Sequence, residues 1–149
     1  MAASIPLDST TRSRAAARTI VRYLPAAARV LLGALFLFSG LYGLLASPQP
    51  PAGLPEGAIA FNAALARTGY MFQLICGTEA LVGALLLANR FVPLALALLA
   101  PVVVNIVAFH LFLEPGGLPV AVVVAALQLY LAWSYRAAFR PMLAARAAR

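Results

Sequence analysis

The chain has no lysine and little acid: its eleven basic residues are all arginine, set against four carboxylates, for a net charge of +7 over 149 residues. Charged residues make up 10% of the sequence and hydrophobic ones 64%, where a soluble domain carries about 25% charged residues. An ordinary water-soluble domain is thereby excluded. Cys76 is the only cysteine, which rules out an intrachain disulfide or a CxxC redox pair. His110 is the only histidine, so bis-histidine haem ligation or a multi-histidine metal site would need a second chain, and no metal site is expected. The arginine surplus raises the question of nucleic acid. These arginines stand at the ends of apolar runs and not along one polar face, so anionic lipid headgroups are the expected counter-charge and nucleic acid is not an expected partner. Arginine without lysine, with abundant alanine, glycine and proline, reads as GC-rich coding and a bacterial source.

Four apolar runs remain once the breakers are marked. Leu24-Pro25 opens a run that lasts to Ala46, interrupted only by Arg29, which is near enough to the end to snorkel; Pro25 suits the first turn of a helix. At about 1.5 Å per residue this run spans a hydrocarbon core of ~30 Å. A signal-peptide cut after Ala46 or Ser47 would place Leu44 or Leu45 where a small residue is required, so the span is expected to be uncleaved. The prolines and glycines from Ser47 to Gly57 break the chain, and the stretch 58–67 admits two readings, a short interfacial helix or a plain connector. A second span is expected at about 69–88, a tight turn at Asn89-Arg90, a third span at 91–113, a turn at Glu114-Pro115-Gly116-Gly117, and a fourth span at 118–135. The expected fold is therefore all-α, an integral membrane four-helix bundle over residues 24–141, preceded by an Arg-rich segment (1–23) and followed by a basic tail (142–149).

Arginine placement sets the orientation. Arg12, Arg14, Arg18, Arg22 and Arg29, then Arg90, then Arg136, Arg140, Arg146 and Arg149 fall on one side of these spans, and only Arg67 on the other. The positive-inside rule puts both termini in the cytoplasm, with the bacterial inner membrane as the expected location. Tyr130, Trp133 and Tyr135 suit an interfacial aromatic belt at the cytoplasmic end of the fourth span.

The polar residues left inside the spans are the candidates for chemistry. Counting from the outer ends, Glu79 and Gln128 fall about 15 Å deep, Asn105 about 12 Å and Ser39 about 10 Å, one from each span in a single layer. Gln73 and His110 fall about 5 to 6 Å deep. Gln73, Cys76, Glu79, Ala80 and Gly83 share one side of the second span, a small and polar band expected to face the bundle, with Ala80 and Gly83 admitting a close neighbour. Glu79 is the sharpest signal, because an acid at mid-membrane costs about 2.5 to 3.5 kcal/mol on insertion scales. Desolvation favours its neutral form, which can donate to Asn105, Gln128 or a ligand oxygen. Two readings of Glu79 stand: a proton-exchanging or ligand-anchoring carboxyl, and interhelical glue. Asn105 is either a ligand contact or a cap on carbonyls freed by Pro101. His110 joins Asn105 only if a Pro101 kink rotates the outer segment, and otherwise meets the headgroups. Gly33, Gly40 and Gly43 read as helix-packing positions.

GALFLFSGLYGL (33–44), TEALVGALLLANRFVP (78–93) and PVVVNIVAFHLFLEP (101–115) together resemble the DoxX-like small membrane proteins, over roughly residues 26–141. The resemblance implies a four-helix membrane bundle linked to redox chemistry, in a family named from a thiosulfate:quinone oxidoreductase and including complexes with sulfur- or superoxide-detoxifying partners. It carries over to Glu79, Asn105 and His110 as family-like positions. Many relatives have a lysine where this chain has Gly43, so a role resting on that lysine does not transfer.

Three functional readings follow. In the first, the chain is a redox-associated subunit that holds a small apolar ligand such as a quinone among Glu79, Asn105, His110, Gln73, Gln128 and Ser39; having no cofactor motif of its own, it draws electrons from a partner protein. In the second, it is a non-catalytic accessory or assembly protein in which the polar layer holds the bundle together; a homo-oligomer is compatible with either. The third is a small proton-coupled transporter, since small multidrug resistance proteins are also short four-span chains with one embedded glutamate; the one-sided arginines and the position of the acid on the second span speak against it.

Overall fold

The structure, a computed structural model, describes the backbone of residues 9–46 and 53–143 and the side chains of 23–46 and 53–141. Residues 1–8, the prolines at 48, 50 and 51, and positions 144–149 of the basic tail lie outside the described residues. All regular structure in the described residues is helical.

The first helix, α1, runs Ser9–Ala46 with Pro25 in its interior. The expected start at Pro25 is thus corrected: good helix formers such as Ala15, Ala16 and Ala17 carry the helix back through the Arg-rich segment. Pro25 removes only the bond that the Val21 carbonyl would accept, and the helix continues through it. The stretch 58–67 is helical, within α2 (Glu56–Arg67), which has Glu56 in its first turn and Arg67 in its last, each complementing the helix dipole. A corner follows, where Gly69 takes φ +76° and the Thr68 hydroxyl donates to the Leu65 carbonyl at 2.7 Å and accepts from the Met71 amide at 3.0 Å. It turns the chain by 92° into α3 (Met71–Leu87).

The turn out of α3 has a defined lock. The Asn89 amide bonds the Leu86 carbonyl and the Arg90 amide reaches back to the Leu85 carbonyl, a Schellman closure with Asn89 at φ +54° where glycine is commoner. Phe91 also sits at positive φ (+51°), which for a bulky residue costs about 1 to 3 kcal/mol. The Arg90 guanidinium, 6.0 Å from the exposed Phe91 ring, returns at most about 1 kcal/mol. Packing of α3 on the next helix, α4 (Val92–Phe112), must therefore hold the turn. A 3-10 turn at Pro115–Gly117 leads into α5 (Leu118–Ser134), a short α6 (Arg136–Phe139) and a last 3-10 turn at Arg140–Leu143.

Helix α1 packs on α3, α3 on α4, α4 on α5 and α5 back on α1. Leu32 and Phe36 of α1, Val82 and Leu86 of α3, Leu96 and Leu99 of α4, and Val124 and Leu131 of α5 form one buried core. Among the described residues three helical stretches are long and apolar enough to cross a membrane: Tyr23–Ala46, Val92–Phe112 and Pro115–Ser134. Helix α3 reaches that length only when joined to α2 across the bend. Phe38, Leu45, Val104, Phe112, Leu129 and Trp133 stand out from the bundle, an apolar mantle that marks a membrane protein.

Lipid tails are as apolar as leucine, so burial alone does not drive helices together in a bilayer; close contact and internal hydrogen bonds do. The α1–α3 seam is built for contact. A Cβ on Gly40 would run into the backbone of Ala80 and Cys76, and one on Gly83 into the backbone of Leu37 and Gly33. Gly43 lies against the Cys76 thiol and Phe72. The packing role expected of Gly33, Gly40 and Gly43, and the close approach expected over Ala80 and Gly83, are both present.

Candidate functional site

Close approach at the glycine seam carries a polar pair with it. Ser39 precedes Gly40 on α1 and its hydroxyl donates to Glu79 Oε2 across the seam at 2.8 Å. Glu79 itself is only 7% exposed, between Cys76 and Val82 on the buried side of α3. Ser39 lies on the open side of the same seam. The second carboxyl oxygen of Glu79 makes no hydrogen bond to any described residue. The pair thus has one carboxyl oxygen held by Ser39 and one bonded to no described residue, at a close-packed seam whose Ser39 side is exposed.

The other expected members of the layer go elsewhere. Gln128 is buried on α5 and its Nε2 donates to the Leu96 carbonyl at 2.7 Å, in the turn of α4 that precedes Pro101. Its Oε1 is buried and bonds none of the described residues. Asn105 is exposed, because the core side of α4 is set by Val92, Leu96, Leu99 and Val103, and Asn105 falls about 180° around the helix from Leu96. The expected alignment of Pro101 with Asn105 holds, on the outer side of the bundle. Gln73 is exposed too; it lies about 120° around α3 from Glu79, at the rim of the expected band and not at its centre. Of the expected members, the structure brings Ser39 and Glu79 together and turns Gln128, Asn105 and Gln73 to other partners or to the outside of the bundle.

His110 belongs to a different end of the molecule. Its Nδ1 lies 2.8 Å from Glu114 Oε2 and 3.0 Å from the Glu114 carbonyl oxygen. Two acceptors on one ring nitrogen require that nitrogen to carry the hydrogen. Glu114 Oε2 also accepts from the Gly117 amide at 2.9 Å, closing the 3-10 turn, and a Cβ on Gly117 would strike the imidazole. Phe61 of α2 packs on Phe109 with ring centroids 5.6 Å apart, so α2 folds over this end of α4. The signal for this contact was present as His and Glu four residues apart, but the turn between them concealed it. No comparable signal marked the contact from the Arg29 guanidinium to the Leu86 carbonyl, which caps α3 from the neighbouring helix.

Among the described residues no three His, Cys, Asp or Glu side chains gather as metal ligands. Comparison with known proteins returns no match to any protein-family model, curated protein or solved structure.

Proposed function

We propose that this chain is a DoxX-like four-helix protein of the bacterial inner membrane, with both termini cytoplasmic, which holds a lipid-soluble redox ligand of the quinone class at the Ser39–Glu79 seam. Glu79 exchanges a proton with the ligand oxygen while a partner protein supplies or removes electrons. One observation carries this reading: a buried carboxyl, held by Ser39 through one oxygen and free at the other, beside a hydroxyl open to the bundle's exterior. A ligand dissolved in the bilayer would approach this seam sideways, from the exposed Ser39 side, without a water-filled entrance.

The fourth span is α3, with α2 folded across the outer surface. The part of α1 around Arg29, the α3–α4 turn and the end of α5 share one end of an antiparallel ring, which brings Arg29, Arg90, Arg136 and Arg140 to the end where anionic cytoplasmic lipid would meet them. At this end the Arg136 guanidinium lies 4.9 Å from the Trp133 ring centre, a pairing suited to the headgroup boundary.

A second reading, a non-catalytic accessory or assembly protein, is favoured by how many polar groups close on the protein itself: Gln128 on Leu96, Arg29 on Leu86 and His110 on Glu114. Mass spectrometry of gently extracted protein separates the two. A co-purifying quinone supports the first; a co-purifying protein with no small ligand supports the second.

A further inference from the structure

Helix α4 buries Val92, Ala95, Leu96, Leu99 and Val103 against the bundle and turns Pro101, Val104 and Asn105 outward. Asn105 lies well inside a helix long and apolar enough to cross a membrane, about 10 Å from its end at Phe112. Its carboxamide has two N–H donors and a carbonyl acceptor. None of the side-chain hydrogen bonds among the described residues involves it. Hydrocarbon offers no water to satisfy these groups, and an unpaired amide there is costly. An acyl chain cannot bond it.

We infer that this face of α4 is where two copies of the chain meet in the bilayer, with their Asn105 carboxamides hydrogen-bonded to each other across a two-fold axis along the membrane normal. The chemistry selects the occupant. A carboxamide complements itself, each donating to the other's carbonyl, so a second copy supplies the missing donor and acceptor together. Copies inserted in one orientation carry Asn105 at the same depth, and a two-fold axis brings the same face of each against the other. Pro101 and the half-buried Ala97 and Ala108 flank Asn105 with short side chains, which lets two α4 backbones approach closely enough for the amides to reach. The Ser39–Glu79 seam lies between α1 and α3 and is no part of this contact.

Single-molecule photobleaching of the labelled full-length chain in bilayers, over falling protein-to-lipid ratios, tests the inference. Wild type should bleach as dimers, and Asn105→Leu should weaken dimerisation by about tenfold while Glu79→Gln leaves it intact. In a Cys76→Ala background, oxidation should cross-link Val104→Cys between copies and leave Val122→Cys, exposed on α5, as monomer. Wild-type protein monomeric at every ratio would overturn the inference, as would an Asn105→Leu dimer as tight as wild type or cross-linking through Val122→Cys instead. Monomeric protein that retains a lipid or quinone only when Asn105 is present would make this face a ligand site and equally refute it.

Discussion

Replacing Glu79 by glutamine and by leucine separates proton chemistry from packing. Glutamine keeps a side-chain carbonyl for the Ser39 hydroxyl, now 2.8 Å from Glu79 Oε2, and loses only the exchangeable acid. Leucine removes the acceptor as well. Interhelical hydrogen bonds in membranes average about 0.6 kcal/mol and reach about 1.7 kcal/mol, so even the leucine variant should lose no more than that from this bond. Ser39 can recover part by turning back to a carbonyl of its own helix. Removing an acid from hydrocarbon returns some of its insertion cost of about 2.5 to 3.5 kcal/mol, so Glu79→Leu can even be stabilising. Thermal unfolding in mild detergent should therefore place Glu79→Gln near wild type and Glu79→Leu within a few degrees of it. Quinone retention, or the cellular phenotype, should be lost in both. Full retention in both variants would refute the role of the carboxyl, and a glutamine variant that retains ligand beside a collapsed leucine variant would reduce Glu79 to structural glue.

The remaining predictions concern packing and topology. Gly40→Leu should disrupt the α1–α3 seam, because its Cβ alone meets the backbone of Ala80 and Cys76; overpacking costs about 1 to 3 kcal/mol or more, read as a lowered denaturation midpoint in detergent. Gly77→Ala, which meets nothing within 4 Å, should leave the midpoint unchanged. Arg29→Leu removes a guanidinium from the C-terminal end of α3 and should cost about 0.3 to 2 kcal/mol in the same measurement. Reporter fusions after Ala46 and Leu113 should read as external, and fusions after Ala88 and Arg149 as cytoplasmic; a cytoplasmic reading after Ala46 would overturn the assigned orientation.

The sequence was most legible where a residue type forbids something. Asn89-Arg90 and the Pro115–Gly117 run marked two turns, and the glycines of α1 and α3 announced a close seam. Glu79 stood out because hydrocarbon penalises it. Azimuth was much less legible. Helices α4 and α5 are apolar on nearly every side, so periodicity does not say which side a neighbour covers, and Asn105, expected within reach of Glu79, is turned outward by the packing of Leu96 and Leu99. Gln128 illustrates the same limit, since its partner is a backbone carbonyl that no side-chain pattern advertises. The right-angle entry from α2 to α3 and the continuation of α1 back to Ser9 depend on local backbone geometry and alanine propensity, which a hydropathy reading of the spans passes over.

Where a bound quinone sits is the central point, and a photoreactive quinone analogue carried in the bilayer measures it directly. After illumination of reconstituted full-length protein and proteolysis, the label should fall on α1 around Ser39 and on α3 around Glu79, and unlabelled quinone should suppress it. Labelling confined to α5 near Gln128, or labelling that unlabelled quinone does not suppress, would contradict a ligand held at the Ser39–Glu79 seam.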